Sequence, residues 1–395
     1  MKIMIPLHRF RMLNLSFRNA SLAIVAAAAL AGCSETPDEN TDSHLYFSVK
    51  TIGPSVNIYS LDNAGVLNKN TDDQRWRDLE MDVSNGGDLV FLSNRKSEVK
   101  IDLNKQGENL DLFLLPKATG VLQRLTDDQV TELSPKFNPA GNAIAYIRHG
   151  EAQHELVLRK LDDAGTSQTL LTASEIANID WAPDGSNLAV SYLEGDESRI
   201  GLLNTASGEI KVVLALPTKA PEESFKPNDY DSFMKKAGYL KWSPDGHKIA
   251  FIRNTLFRGT RQLHVLNVGS GEDKLVSPPE VQAQDGVSWS ANSERLLFSG
   301  LVNYRFYYDE QQHHKVYQGG MQIFDYRYGQ EAVQITSGDH LFKLPTFSPD
   351  EKRIAYFYAE KLGERIYELR TMKTDGSDIQ TLQPKIAPVS PLIWQ

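Results

Sequence analysis

A short phrase recurs along this chain and constrains its fold more than any other feature. The clearest copy is Trp242-Ser243-Pro244-Asp245-Gly246, which runs into the apolar stretch Lys248-Ile249-Ala250-Phe251. A strand that ends at Trp, a turn containing Pro and Gly, and a returning apolar strand together predict a β-hairpin. Related copies contain Phe137, Trp181, Trp289 and Phe347, and a degraded copy contains Val83. Repetition at intervals of about fifty residues predicts a propeller or a solenoid.

The segments between the copies complete the repeat. A third apolar strand follows each hairpin, as at Gln262 to Val268, and a short fourth strand usually follows, as at Ile210 to Leu214. Four antiparallel strands per repeat are typical of the blades of a β-propeller. The predicted fold class is therefore all-β, with a single β-propeller over residues 44–395.

The two ends of the repeat region decide the predicted number of blades. His44 to Val49 and Val56 to Leu61 resemble a second and a third strand, with no first strand before them. Pro391 to Trp394 resembles a first strand with nothing after it. Pairing of this C-terminal strand with the N-terminal blade would close a ring of seven four-stranded blades and leave no open edge there. Six blades, with residues 45–61 as an additional flap, are the alternative.

The repeat phrase resembles that of the TolB-type propellers, which are related to the propeller of the prolyl oligopeptidases. The resemblance covers nearly all of residues 44–395. It implies a fold more than an activity, because propellers carry many functions. TolB joins a small α/β domain to a six-bladed propeller and acts through protein contacts in the periplasm. We find no room for that domain between Cys33 and His44, so the role of TolB in its own system is not transferred.

Residues 1–32 are predicted to be a lipoprotein signal peptide. They contain four basic residues and no acidic one, and their apolar run from Leu22 to Leu30 is too short to span a membrane. The following Leu30-Ala31-Gly32-Cys33 resembles the lipobox of bacterial lipoproteins. This resemblance implies lipid attachment to Cys33, and Ser34 resembles the pattern that directs lipoproteins to the outer membrane. Residues 33–43 would form a flexible tether. A chance Cys at the end of an ordinary signal peptide is the alternative.

The acidic balance of the chain limits its partners. The formal net charge is −9, and it becomes more negative without the basic N-terminal segment. An acidic folded body argues against nucleic acid or anionic lipid headgroups as its partners. Membrane attachment is therefore expected only through the N-terminal lipid.

Two long insertions interrupt the repeat, at residues 217–239 and 300–319. Both fall on the propeller face that carries the loops between second and third strands and between blades, where long loops are often functional. Aromatic residues mixed with Arg and Lys are typical of protein-binding hot spots and sugar-stacking platforms. The predicted binding face comprises Phe225, Tyr230, Phe233, Tyr304, Arg305, Phe306, Tyr307, Tyr308, His313, His314, Arg75 and Trp76. Packing of these rings onto the blades is the alternative.

The sequence lacks the usual signatures of catalysis and of cofactor binding. It contains no Gly-x-Ser-x-Gly elbow and no glycine-rich phosphate loop after a strand. Its histidines have no recognised metal-ligand spacing, so neither a metal nor a cofactor is predicted. The sequence thus favours a non-enzymatic, lipid-anchored periplasmic protein that binds an envelope protein. A propeller that binds a glycan or a small ligand, including a lyase or a hydrolase, is the alternative.

Overall fold

The fold is all-β throughout the part of the chain that can be described. The computed structural model describes residues 43–50, 53, 55–95, 109–162, 165–219, 235–255, 259–311 and 313–395. These ranges contain strands, turns and bends and no helix. Consequently, they contain no helix that could cross a membrane. The predicted signal peptide, Cys33 and all of the tether except Ser43 lie outside the described residues.

The strands follow one another along the chain in sets of antiparallel neighbours. The first set is β1 (His44–Lys50), β2 (Val56–Asp62) and β3 (Leu67–Lys69), and the second is β4 (Asp78–Val83), β5 (Leu89–Ser93), β6 (Asp111–Leu115) and β7 (Gln123–Arg124). The third is β8 (Thr131–Phe137), β9 (Ala143–His149), β10 (His154–Lys160) and β11 (Ser167–Ala173). The fourth is β12 (Glu175–Trp181), β13 (Asn187–Glu194), β14 (Glu197–Asn204) and β15 (Ile210–Pro217).

The second half of the chain continues this order. A further four-stranded sheet contains β16 (Lys235–Trp242), β17 (Lys248–Thr255), β18 (Arg261–Asn267) and β19 (Asp273–Leu275). A nine-stranded sheet contains β20 (Gln282–Ala283), β21 (Ser288–Trp289), β22 (Arg295–Asp309), β23 (His314–Arg327), β24 (Val333–Gln334), β25 (Leu341–Phe347), β26 (Arg353–Ala359), β27 (Tyr367–Lys373) and β28 (Gln380–Ile386). Among the described residues, a single parallel pairing of Met321 with Leu341 is the only strand pairing between its two halves. The last strand, β29 (Ile393–Trp394), pairs with β1.

The recurring phrase forms the turn between the first and second strands of a set. In the clearest copy, the Lys248 N–H donates to Ser243 Oγ and the Ser243 N–H donates to the Lys248 carbonyl, both at 2.9 Å. Gly246 has φ +72°, a left-handed conformation that glycine adopts without strain. The N–H of Arg295 likewise donates to Ser290 Oγ at 2.9 Å. The phrase therefore supplies turn chemistry rather than a binding site.

Two of the tryptophans that precede these turns connect neighbouring sheets. The indole N–H of Trp181 donates to the Lys136 carbonyl at 3.3 Å, and that of Trp289 donates to the Lys241 carbonyl at 3.2 Å. Both rings are buried in the apolar clusters that fill the space between adjacent sheets. Burial of such large rings is the main source of stability in cores of this kind.

Several contacts hold the C-terminal segment against the beginning of the described fold. Leu45 is paired with Trp394, and the Trp394 indole donates to Ser43 Oγ at 3.0 Å. The Ser48 N–H donates to Ser390 Oγ at 2.9 Å. The C-terminal strand therefore lies where the sequence analysis expects it, beside the N-terminal strands.

Candidate functional site

The insertion at residues 300–319 folds as a β-ribbon rather than as an irregular loop. Strands β22 and β23 continue beyond their neighbours in the sheet, and their pairing extends to Asp309 opposite His314. Tyr and Phe, which fill much of this segment, favour extended backbone. We call residues 303–319 the aromatic hairpin.

A bulge separates the aromatic hairpin from the rest of its sheet. The pairing register shifts between Val302 and Arg305, and Asn303 has φ 53°. Opposite it, Gly319 has φ +87°, and a Cβ atom there would lie 2.5 Å from the Val302 carbonyl oxygen. Only glycine fits this close approach. Bulges bend strands and redirect side chains, so this one sets the direction in which the hairpin projects.

The hairpin exposes an unusual number of aromatic rings. The exposed fractions are 37% for Tyr304, 48% for Phe306, 47% for Tyr307, 53% for Tyr308 and 40% for Tyr317. Side chains alternate between the two faces of a strand. One face therefore carries Phe306, Tyr308, Lys315 and Tyr317, and the opposite face carries Arg305, Tyr307, Val316 and Gln318. On the first face the Phe306 and Tyr317 ring centroids are 5.3 Å apart, and Lys315 Nζ lies 5.6 Å from the Phe306 ring.

The other predicted binding residues have different positions. Trp76 is only 9% exposed, so it packs in the interior and offers no ring to a partner. Arg75 is exposed and donates through Nη2 to Asp73 Oδ2 at 3.0 Å. His313 is exposed in the hairpin turn, at φ 51°. Phe225, Tyr230, Phe233 and the side chain of His314 lie outside the described residues, so their part in the binding face stays a prediction.

A cavity of about 560 Å³ is a second concave candidate site. It lies among the inner strands of successive sheets, and we call it the axial cavity. Its walls come from β4, β8, β12, β16, β21, β25 and β29, from Pro244 just after β16, and from the segments just before β21 and β29. The polar lining residues include Glu80, Asp82, Lys136, Asn178, Asp180, Tyr239, Lys241, Asp285, Ser288 and Thr346.

Most of these polar groups connect one sheet to the next. Asp180 Oδ2 accepts a hydrogen bond from the Trp242 N–H at 2.7 Å, while Asp180 Oδ1 lies 3.3 Å from Lys241 Nζ. The same arrangement recurs at Asp82, which accepts from the Phe137 N–H at 2.9 Å and lies 3.4 Å from Lys136 Nζ.

Two other lining residues, Ser288 and Glu80, also connect one sheet to the next. Ser288 Oγ accepts from the Phe347 N–H at 3.1 Å. Glu80 Oε2 accepts from the Ser134 N–H at 2.6 Å. Side chains of this kind fix the spacing between sheets, and they leave few polar groups of the lining free for a ligand.

Electrostatics in the axial cavity reflect burial and pairing. The carboxylate of Asp180 raises the pKa of Lys241. Burial raises the pKa of Tyr239 to about 12 and raises the pKa of Glu80. Glu80 reaches water in the cavity although protein surrounds it, so its lost solvation outweighs its hydrogen bond from Ser134. Burial and pairing thus raise the pKa values of Lys241, Tyr239 and Glu80.

The described residues that line the axial cavity include neither His nor Arg. No group of three or more His, Cys, Asp or Glu residues in the described ranges could hold a metal ion. The two lysines of the lining, Lys136 and Lys241, are paired with Asp82 and Asp180.

Sequence reasoning missed one buried acid beside this region. Glu132, on β8, is completely buried. Burial, followed by the charge of Asp128, raises the pKa of its carboxyl to about 7. Its cross-strand partner is Arg148, which itself pairs with Asp128 at 2.6 Å and Glu155 at 3.2 Å. An acid in an otherwise alternating strand was the available sequence signal, but its burial depends on the neighbouring sheet.

No protein-family model and no curated protein matches the sequence. Solved structures do match the fold. A protein from Lactobacillus plantarum is 12% identical with a TM-score of 0.55, and the match covers 89% of this chain and 99% of that one. A puromycin-hydrolyzing peptidase from Mycobacterium tuberculosis is 12% identical with a TM-score of 0.56, covering 86% of this chain and 52% of the peptidase. This chain thus spans about half the length of that enzyme.

TolB from Acinetobacter baumannii also matches, with 14% identity and a TM-score of 0.46, over 89% of this chain and 82% of TolB. Identities this low describe the fold alone. The resemblance to TolB-like propellers that the repeat predicts is confirmed at that level. The puromycin-hydrolyzing peptidase has the same fold over about half of its length, and a shared fold does not select an activity.

Proposed function

We propose that this protein is a non-enzymatic, lipid-anchored periplasmic propeller that binds a protein of the cell envelope through its aromatic hairpin. The observation that carries the proposal is the exposure of five aromatic rings, each between 37% and 53%, on one projecting ribbon. Exposed Tyr and Phe beside Arg are the residues that most often anchor protein interfaces. A hairpin that served only to cover the blades would bury these rings instead.

The proposal includes a propeller of seven blades. Two observations support this number. The pairing of β29 with β1 supplies the first strand that the N-terminal set lacks. The nine-stranded sheet divides at its single parallel pairing into two sets, the first consisting of β20 to β24 and the second of β25 to β28. Pairing of the two chain ends in one blade is a common way to close such a ring.

The envelope location rests on the sequence of residues 1–34. A basic segment, a short apolar run and the lipobox-like residues before Cys33 are the features of a lipoprotein leader. Stable anchoring by lipid requires more than one acyl chain, as lipoproteins of this kind carry. The propeller would then lie close to the membrane and within reach of other envelope proteins.

A small-ligand or glycan site in the axial cavity is the second candidate function. Its volume of about 560 Å³ falls in the range of known ligand pockets. The pairing of its lysines with aspartates, and the inter-sheet hydrogen bonds of its carboxylates, favour a structural role instead. We therefore prefer the aromatic hairpin to the axial cavity as the binding site.

Site-specific crosslinking in intact cells tests the hairpin. A photoreactive phenylalanine analogue at Tyr307, in the full lipidated chain, is expected to capture one discrete protein. The matched control carries the same analogue at Val121, which is 62% exposed but lies outside the hairpin. A partner captured equally from both positions, or from neither, would contradict the proposed function.

The lipid anchor is tested separately. The full-length Cys33→Ser variant lacks the thiol to which the lipid would be attached, and it is expected to leave the membrane fraction. Metabolic labelling with a fatty-acid analogue should mark the unchanged chain and not the variant. If the variant stays in the membrane fraction after a high-salt wash, the anchor is not Cys33.

A further inference from the structure

The aromatic hairpin has open backbone edges as well as exposed rings. Below the bulge, β22 is flanked by β20 and β21, and β23 by β24 and β25. Above the bulge, β22 and β23 pair only with each other among the described residues. An unpaired edge offers a row of N–H and C=O groups to any extended chain that approaches it. Native edges are commonly protected by Pro or inward-pointing charges, and residues 303–309 contain no Pro.

The direction of the backbone N–H groups along β23 follows from hydrogen bonds below the bulge. The N–H of Met321 donates to the His340 carbonyl and the N–H of Ile323 donates to Thr336 Oγ1, both at 2.9 Å, so these groups point away from β22. Outward groups alternate along a strand and come in cross-strand pairs. Continued along β23, the alternation places the N–H groups of Lys315 and Tyr317 outward.

The same alternation identifies the open groups on β22. Its hairpin residues Tyr308 and Phe306 are the cross-strand partners of Lys315 and Tyr317, so their backbone groups also point away from the ribbon. Their side chains lie on the aromatic face. A chain that paired with Phe306 and Tyr308 would therefore meet an outward backbone and aromatic rings at the same positions.

The two edges of the hairpin are not equally accessible. A Cβ atom added to Gly363 would lie 3.0 Å from Cδ2 of Tyr317, so the Tyr317 ring rests against the loop between β26 and β27. The edge of β22 is on the opposite side of the ribbon, where β20 pairs with Gly300 and Leu301 below the bulge. A strand added there would extend the row that β20 begins.

The charges of the hairpin specify what such a strand would contain. Arg305 and Lys315 are the basic residues of its two strands, and its acidic residues, Asp309 and Glu310, lie at its tip. Arg305 is exposed and has no ion-pair partner within the described ranges. Arg305 and Tyr307 lie on the face opposite the aromatic face, so an acidic residue would suit the position that faces Arg305. Apolar residues would suit the face that carries Phe306 and Tyr308.

We propose that the β22 edge of the aromatic hairpin binds an extended segment of the partner protein by strand addition, and that this segment places apolar residues over Phe306 and Tyr308 and an acidic residue opposite Arg305. Backbone hydrogen bonds would supply affinity, and the alternate side chains would supply specificity, as in other recognition by β-augmentation. This inference rests on the proposed function. It adds the kind of partner and the backbone groups that bind it.

The test separates the backbone from the side chain at one position. Tyr308→Ala removes the ring and keeps the outward N–H, whereas Tyr308→Pro removes both. Pro is tolerated at an edge where the N–H has no partner within the strand pair. The matched controls are Lys315→Ala and Lys315→Pro, which make the same change on the opposite edge.

The probe is a fluorescent octapeptide of alternating Val and Glu, titrated against the full-length chain in detergent by fluorescence anisotropy. We expect Tyr308→Pro to bind about tenfold more weakly than Tyr308→Ala, and the two Lys315 variants to bind equally. An octapeptide with its four Val residues grouped before its four Glu residues should bind more weakly than the alternating one. Thermal unfolding of each variant verifies that the propeller is intact.

The outcomes distinguish this inference from the proposed function. If Tyr307 crosslinks a partner but Tyr308→Pro and Tyr308→Ala bind the alternating peptide equally, or neither peptide binds, docking stands and strand addition is wrong. If both Lys315 and Tyr308 require their N–H groups, the proposed choice of edge is wrong. If Tyr307 crosslinks nothing, the proposed function itself fails.

Discussion

The axial cavity and the aromatic hairpin differ in whether their charged and aromatic side chains have partners within the protein. In the cavity, Asp82 and Asp180 each accept a backbone hydrogen bond from the next sheet and pair with a lysine. In the hairpin, Arg305 has no ion-pair partner among the described residues, and the rings of Tyr307 and Tyr308 are about half exposed. Charged residues clustered in a cavity therefore indicate a binding site less clearly than exposed side chains without partners do. Groups without partners indicate where a partner could bind.

The largest expected effect concerns stability and lies in the cavity. Asp180→Ala leaves the buried Trp242 N–H without its acceptor and leaves Lys241 without its counterion. The first loss dominates, since the Lys241 side chain is 43% exposed and solvent screens its charge. We expect a decrease of about 3 kcal/mol in the free energy of unfolding, measured by denaturant titration. Asp180→Asn, which keeps an acceptor oxygen, should lose less than half as much.

The hairpin should not respond to that change. Crosslinking from Tyr307 is expected to remain within twofold in Asp180→Asn at a temperature where the variant is folded. A parallel loss of crosslinking would mean that the cavity and the hairpin are coupled, and the contrast between them would no longer hold.

A second effect concerns the pH dependence of the propeller body. Burial raises the pKa of Glu132 to about 7 in the folded chain, above the ordinary value of 4.5 for this side chain. Well below pH 4.5 the carboxyl is protonated in both states and imposes no penalty. Between pH 4.5 and about 7 it ionises in the unfolded chain but stays protonated in the folded chain, so the free energy of unfolding falls across this range. Glu132→Gln should therefore raise the free energy of unfolding at pH 8 by about 2 kcal/mol, with a gain that disappears near pH 4. A pH-independent gain would show that ionisation of Glu132 is not its cause.

The third effect concerns binding. Tyr307→Ala removes a ring that is 47% exposed and that belongs to no buried cluster. We expect this variant to bind the crosslinked partner about tenfold more weakly than the unchanged chain. Titration with the purified partner measures the difference. Its unfolding temperature should stay unchanged, in contrast to Asp180→Ala. An equal loss from Val121→Ala would indicate that the hairpin is not the interface.

The smallest effect separates charge from ring. Arg305→Glu reverses an exposed charge without removing an aromatic side chain. We expect about threefold weaker binding to the partner, mainly through slower association, and the difference should shrink as salt is added. An effect that is unchanged at high salt would argue against an acidic partner segment.

The turns and apolar strands of this fold could be predicted from its repeat, because each copy is a local structure. A Ser, Pro, Asp and Gly turn fixes its own backbone angles, and the strands beside it alternate in a readable way. The pairing of Trp394 with Leu45 could also be anticipated. The N-terminal set resembles a blade without its first strand, and Pro391 to Trp394 resembles a first strand without the rest of a blade.

The candidate site was predictable only in part. The aromatic insertion at residues 300–319 was identified, but it was expected as a loop, whereas it is a continuation of β22 and β23 beyond a bulge. Trp76 lies between two arginines in the sequence and was therefore grouped with the exposed aromatic residues, but the structure buries it. Composition reports which side chains are present, and their exposure depends on what packs against them.

The sequence by itself determined the all-β repeat, because turn chemistry and alternation act between residues that are close in the chain. Only the tertiary structure decided which charged and aromatic groups have partners. Asp180 meets the Trp242 N–H and Glu132 is buried through contacts between sheets, across separations that no local pattern encodes. The open edge at Phe306 and Tyr308 likewise exists because the neighbouring strands end below it.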